Sequence, residues 1–466
     1  MNYNIAILPK LKGTKDLVGA PLPGETSVWR PIHYLGSKLR LVETIKQIVD
    51  SIDPKRGRVC DLFSGSGTVS LALSQERAVT AVDIQEYSRT ICSALISPHK
   101  FNKAEINKLI KKAQSSEYFA RLSWAAAPLI KHEKECLNKA RGGSPLGICN
   151  IIEAGSIFSY GKEKRRIETK LVAALTETNK RLEKIQIKEG INPVILKYYG
   201  GLYFSYEQAV HLDSLVHLAH HASKEKRDTL LSAIMGTASD VVNTVGKQFA
   251  QPIKPRNKDG VLKKHLISQI LRDRELDSFD IFNDWLEKYS SLTPSTSTHQ
   301  AMRADYYEFL QGYRGKLGVV YADPPYTRDH YSRFYHVLET ICLNDAPEIS
   351  MMRSNGKELI SRGIYRSERH QSPFCIKSQA PEAFRKLFAG VRKHGSPLVL
   401  SYSPYSVDAK GRPRVMTVEA IQKLAKEHFK SVQIISAGKI SHNKLNHAAL
   451  NSKISYDAEL FLICLP

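Results

Sequence analysis

The sequence predicts an α/β fold, in which a doubly wound, mostly parallel sheet is built from both ends of the chain and a mainly helical domain is inserted between its halves. Three observations predict it. Arg58 to Asp83 runs strand, Gly-rich turn, helix, strand in the text "RVCDLFSGSGTVSLALSQERAVTAVD". From about Ser97 to Asp284 the pattern turns helical, with repeats such as "KRRIETKLVAALTETNKRLEKI". Strand signals then return at "LGVVYAD", "SPLVLSYS", "SVQIISA" and "AELFLICL", with helical stretches "APEAFRKLFAGVRK" and "TVEAIQKLAKEHF" between them.

Each element has a local reason. "RVCDLF" and "AVTAVD" are short apolar runs ending on acids, as buried parallel strands read, and the helix "TVSLALSQER" between them makes the crossover. Residues 97–292 lack strand signals. "SSLTPSTSTHQ" after Tyr289, rich in Ser and Thr, reads as a linker. The expected division is therefore 1–96, first part of a catalytic domain; 97–292, helical insertion; and 293–466, second part of the catalytic domain.

Lysine and arginine outnumber aspartate and glutamate by 68 to 46, giving a net charge of +22. Such an excess fits a polyanionic partner, because neutralised phosphates release condensed counterions; the plain alternative is a soluble protein that is merely basic. Seven scattered cysteines (Cys60, Cys92, Cys136, Cys149, Cys342, Cys375, Cys464), never spaced C-x-x-C, argue against a disulfide framework or a zinc knuckle. No apolar run approaches the roughly 18 residues of a membrane span, and the apolar stretch at the start is too short for a secretory signal, so a cytoplasmic location is expected.

In "DLFSGSGTVS", Gly65 and Gly67 lie between a strand end and a helix start, where bare backbone would let a ligand approach. Asp83 ends the next strand, where an acid receives ribose hydroxyls. Neither G-x-x-x-x-G-K-[ST] nor G-x-G-x-x-G is present, which excludes an ATPase phosphate loop and a dinucleotide fingerprint. A nucleoside ligand without phosphates, S-adenosylmethionine above all, suits these residues. The alternative is a tight turn with Asp83 as a helix cap.

"VVYADPPYTRDHY", from Val319, ends a strand on an acid, two prolines and an aromatic ring. The exocyclic amine of adenine is a poor nucleophile because its lone pair is delocalised. A carboxylate and a main-chain carbonyl accepting its N–H bonds direct that lone pair at a methyl carbon. Asp323 and the Pro324 carbonyl supply such acceptors, the prolines stiffen them, and Tyr326 offers a face for an extruded base.

"DPPY" with "DLFSGSG" resembles the adenine-specific amino-methyltransferases of DNA. "HYLGSK" (His33 to Lys38) is similar to the family segment that holds the methionine end of the cofactor. "RADYYEFL" is similar to the segment whose acid, here Asp305, faces the cofactor adenine, and "LSYSPY" (Leu400 to Tyr405) to a strand motif lining the target pocket. The order resembles the α-type arrangement, in which the long insertion carries target recognition. "YSRFYHVLETI" and "YRSERHQSPFC" are similar to segments of modification methylases of restriction-modification systems. Where the family often has a proline in the cofactor motif, this chain reads "DLFSGSG", with Phe63 as the aromatic. The resemblance implies a Rossmann-like, mostly parallel sheet with a C-terminal antiparallel hairpin. It implies a site for S-adenosyl-L-methionine at Tyr34, Gly36, Ser37, Lys38, Asp61, Phe63, Ser64, Gly65, Gly67, Asp83, Asp305 and Asp323, and catalysis by Asp323, Pro324, Pro325 and Tyr326. Double-stranded DNA is the implied substrate, with a cognate restriction enzyme or defence complex as a partner.

The remaining features are less specific. His211, His217, His220 and His221 recur at helical spacing, but no acid or cysteine completes a metal set, so no metal is expected. Basic clusters at Lys162 to Arg166, Lys224 to Arg227 and Lys254 to Lys258 either contact phosphates or form solvated faces; Lys254 and Arg256 are candidates for DNA contact. "MMRSNGKELISRGIYRSERHQSPF" reads as a loop closing on DNA, with Arg366 and Arg369 as its contacts, or as an ordinary surface loop. Methyl transfer to RNA or to the amino group of cytosine is the alternative activity; a cytosine enzyme more often has Ser at the place of Asp323. A non-enzymatic nucleic-acid module would have no use for the amine acceptor.

Overall fold

The computed structural model describes residues 28–34, 36, 38–162, 168–293, 295, 298–327, 331–354, 356–403, 414–437 and 459–466. Ser37, residues 163–166 of the first basic cluster and residues 404–405 of "LSYSPY" lie outside them.

A seven-stranded sheet organises the chain. Its strands are β1 (Val59–Leu62), β2 (Val79–Asp83), β3 (Gln300–Arg303), β4 (Val319–Ala322), β7 (Leu398–Tyr402), β8 (Ser431–Ser436) and β9 (Leu460–Leu465), in the order β3-β2-β1-β4-β7-β9-β8. The first five in that order pair in parallel; β9 runs antiparallel to both β7 and β8, forming the expected C-terminal hairpin. Strand order reverses between β1 and β4, where open α/β sheets bind ligands. Both β1 and β4 are buried along their whole length, because helices cover the two faces.

Alternation along the strands sorts side chains between two cores. Val59, Val319, Tyr321, Val399, Phe461 and Ile463 pack with Ile45, Ile48 and Val49 of the helix Val42–Ile52. Cys60, Leu62, Val320, Ala322, Leu398, Leu400 and Leu462 pack on the other side, against the helices Tyr306–Gly312, Ala380–Lys393 and Val418–Lys426.

Among the described residues, the elements between β2 and β3 are all helical. Their core is continuous with that of Glu86–Ile96 and of the later helix Ser332–Leu343. Arg89 Nη1 donates to Asp228 Oδ2 at 2.6 Å across position 96, and Tyr199 Oη meets Thr340 Oγ1 at 3.0 Å across position 292, so contacts run over both expected boundaries.

Two elements differ from the sequence expectation. The stretch read as a linker ends in β3, an edge strand whose side chains are mostly exposed and so carry no apolar signal. The stretch read as a loop contains a two-stranded hairpin, β5 (Met351–Ser354) with β6 (Lys357–Ile360). No helix among the described residues is long and apolar enough to cross a membrane.

Candidate active site

Pairing of Leu62 with Val82 on one side and Ala322 on the other brings the next residues, Phe63, Asp83 and Asp323, together at the carboxyl edge of the sheet. A cleft opens there. It is lined by Tyr34, Gly36, Lys38, Asp61, Phe63, Ser64, Gly65, Asp83, Asp305, Asp323, Pro324, Pro325 and Tyr326, so that most sequence-predicted site residues meet in one place.

The turn after β1 is held by protein contacts. Phe63 and Ser64 both donate to the Val82 carbonyl at 3.0 Å, and Phe63 takes φ of 77°, a conformation that costs a non-glycine residue about 1–3 kcal/mol. Its ring is held among Tyr306 and Phe374, at 5.5 and 5.4 Å. Asp83 Oδ2 accepts from the Gly65 amide at 3.0 Å and Oδ1 from the Gln85 amide at 2.9 Å, and burial raises its pKa. A Cβ on Gly65 would lie 2.7 Å from Tyr34 Oη, and one on Gly67 2.6 Å from Leu95 Cδ1. Both glycines make room for protein neighbours; Gly65 also borders the cleft, whereas Gly67 packs against the helix Glu86–Ile96. The Tyr34 ring stacks on Tyr335 at 4.8 Å. Asp305 caps the helix Tyr306–Gly312 by accepting from the Tyr307 amide at 2.8 Å, while facing the cleft.

Asp323 keeps 22% of its side chain exposed, toward the cleft, and its Oδ1 lies 3.1 Å from Lys38 Nζ. Burial pushes its pKa up to about 6, with Lys38 acting the other way. Lys38 is itself buried and also meets Glu459 Oε1 at 2.9 Å; burial alone would lower its pKa, but Asp323 and Glu459 outweigh that and hold it charged. Beside them Asp61 accepts from Ser70 Oγ at 2.6 Å, and burial pushes its pKa up to about 7. Tyr326 packs on Tyr402 at 5.1 Å, and the Arg414 guanidinium lies 4.6 Å from its ring centre, so the expected stacking platform already carries a cation. Tyr321 borders the cleft, and its buried hydroxyl has no hydrogen-bond partner among the described residues.

Several cleft residues escaped sequence reasoning. His370, Gln371, Ser372, Pro373 and Cys375, in the segment "YRSERHQSPFC" that resembles modification methylases, wall the cleft, and burial lowers the pKa of His370. Glu459 carried no motif at all.

The four arginine and lysine candidates for DNA contact separate. Arg366 is buried, with its two guanidinium nitrogens each 2.6 Å from Asp345, so it belongs to the fold rather than to a DNA-facing surface. Arg256 is tied to Glu153 and to Asn150, which corrects its expected availability. Arg369 bonds Ser350 Oγ at 3.2 Å and lies over the Tyr365 ring. Lys254 is exposed. Among the histidines, His217 stacks on Tyr118 and meets His221, each at 4.1 Å, and no cluster of metal-ligating residues occurs among the described residues.

The family model of the D12 class N6 adenine-specific DNA methyltransferases matches residues 34–211 and 272–393, well over half of the chain. The chain belongs to this family. The matched stretches hold β1, β2, β4 and the cleft residues from Tyr34 to Cys375. The family member is also similar to modification methylase StsI of Streptococcus sanguinis, at 23% identity over 80% of this chain and 44% of that protein. Modification methylase LlaI of Lactococcus lactis subsp. lactis is likewise 23% identical, over 81% of this chain and 47% of its own. The chain thus spans less than half the length of these curated relatives.

Proposed function

We propose that this chain transfers a methyl group from S-adenosylmethionine to the N6 amine of adenine within a specific duplex DNA sequence, after the base is flipped from the stack, as the modification activity of a restriction-modification or other defence system. The observation that carries this reading is the placement of Asp323 on the same cleft as the Phe63 to Gly65 turn and Asp83.

The cleft residues fit the cofactor. Asp83, at the end of β2, presents a carboxylate suited to ribose hydroxyls, and the unpartnered Tyr321 hydroxyl offers a buried polar atom to the ligand. Bound there, S-adenosylmethionine supplies an activated methyl on a sulfonium. Asp323 and the Pro324 carbonyl accept the two amine N–H bonds and aim the nitrogen lone pair; the prolines hold both acceptors without moving parts. Tyr326 stacks on the flipped base once Arg414 moves off its ring or shares it. Lys254, which is exposed, and Arg369, which bonds the neutral Ser350 Oγ, stay candidates for phosphate contact, whereas Arg366 and Arg256 serve internal pairs.

Expression in a host without adenine methylation, followed by nucleoside analysis and a genome map of modified bases, tests this. N6-methyladenine at one sequence context is expected. Methylation of RNA, or of cytosine alone, would replace the reading.

A further inference from the structure

The innermost layer of the cleft is charged in a way that binding alone does not require. Asp61, Tyr321 and Asp323 project to one face of the sheet, the face covered by the helix Val42–Ile52. Ser401 of β7 and Glu459, just before β9, share that face by the same alternation, as Val399 and Phe461 show. Lys38 enters it from the turn that begins this covering helix. Glu459 is 1% exposed, and a carboxylate so buried is costly unless paired. Its partners are Lys38 Nζ at 2.9 Å and Ser401 Oγ at 2.6 Å. Lys38 then spans to Asp323 Oδ1 at 3.1 Å.

We propose that Glu459 is a positioning residue for the transfer reaction: anchored by Ser401, it pins the Lys38 ammonium, and Lys38 fixes one oxygen of Asp323 so that the carboxylate stays aimed at the target amine. This rests on the reading of Asp323 as the amine acceptor. The strand at the far end of the chain thereby sets the geometry of a motif more than a hundred residues earlier. The groups facing Asp323 are Lys38, Glu459, Asp61 of β1, Tyr321 of β4, and the phenols of Tyr34, Tyr326 and Tyr331. Lys38 is the one cation in this set, so the two ends of the relay act on Asp323 with opposite sign. Lys38 favours its ionised form and Glu459 opposes it.

The test is the pH dependence of single-turnover methyl transfer to duplex DNA by the wild-type chain and by Lys38→Met, Glu459→Gln and Ser401→Ala, with cofactor binding and thermal melting as controls. Lys38→Met should move the acid limb toward neutral pH by about one unit, because the cation beside Asp323 is lost. Glu459→Gln should lower the plateau rate by about tenfold or more, because Lys38 loses its anchor. A Glu459→Gln chain that folds, binds cofactor and keeps the wild-type plateau rate overturns the proposal. Should Glu459→Gln not fold, Ser401→Ala decides: a reduced plateau with cofactor binding kept supports the relay, and an unchanged plateau ends it. Failure of the wild-type chain to methylate adenine would instead remove the functional reading on which the relay depends.

Discussion

Asp323 is a carboxylate under two opposing influences, since Lys38 engages one oxygen at 3.1 Å while burial pushes its pKa up to about 6. As an acceptor it must be ionised, so protonation on falling pH removes it. Methyl transfer should therefore decline as pH drops through about 6 and stay level above it, measured in single-turnover assays. The residue and its prolines were legible in the sequence because no ordinary strand ends on "DPPY". Arg366 was not: a run of arginines looks the same whether solvated or buried, and only folding reveals Asp345 beside it. Arg366→Ala should cost about 2 kcal/mol in denaturant unfolding, since one partner remains half-exposed, and should leave the salt dependence of DNA binding unchanged. Gly67 also acquired its meaning from tertiary packing. With φ of 72° and Leu95 in the path of a Cβ, Gly67→Ala should lower the melting temperature while sparing the cleft wall itself.

Among the elements, β1, β2 and β4 announced themselves as apolar runs, because a parallel strand covered on both faces needs no alternation. β3 did not, since an edge strand with exposed side chains has no hydrophobic pattern to read and is defined by its pairing with β2 alone. The difference has a measurable consequence. Amide exchange should be slow in β1 and β4 and markedly faster in β3, and equal protection would contradict the edge assignment. The hairpin of β5 and β6 escaped for a related reason, as its strands are short and largely exposed. The polar residues of segment 370–375 wall the cleft, a placement that a linear pattern without apolar periodicity does not encode.

For the whole molecule, the sheet joins two stretches of chain separated by a helical insertion that shares their core. Family membership follows from stretches on both sides of residues 212–271, which the family model leaves unmatched. A net charge of +22 over this frame predicts that affinity for duplex DNA falls steeply between low and moderate salt, by about 10³-fold if six phosphates are neutralised; titration at several salt concentrations would show it, and a flat response would detach the charge from DNA. The account as a whole rests on two halves of one cleft, a cofactor side around Asp83 and a reacting side at Asp323. Its most direct measurement is calorimetric binding of S-adenosylmethionine alongside methyl transfer in Asp323→Ala. The account predicts that binding survives within a few-fold while transfer to DNA falls by at least about 10²-fold; transfer near the wild-type rate with Asp323 absent would contradict it.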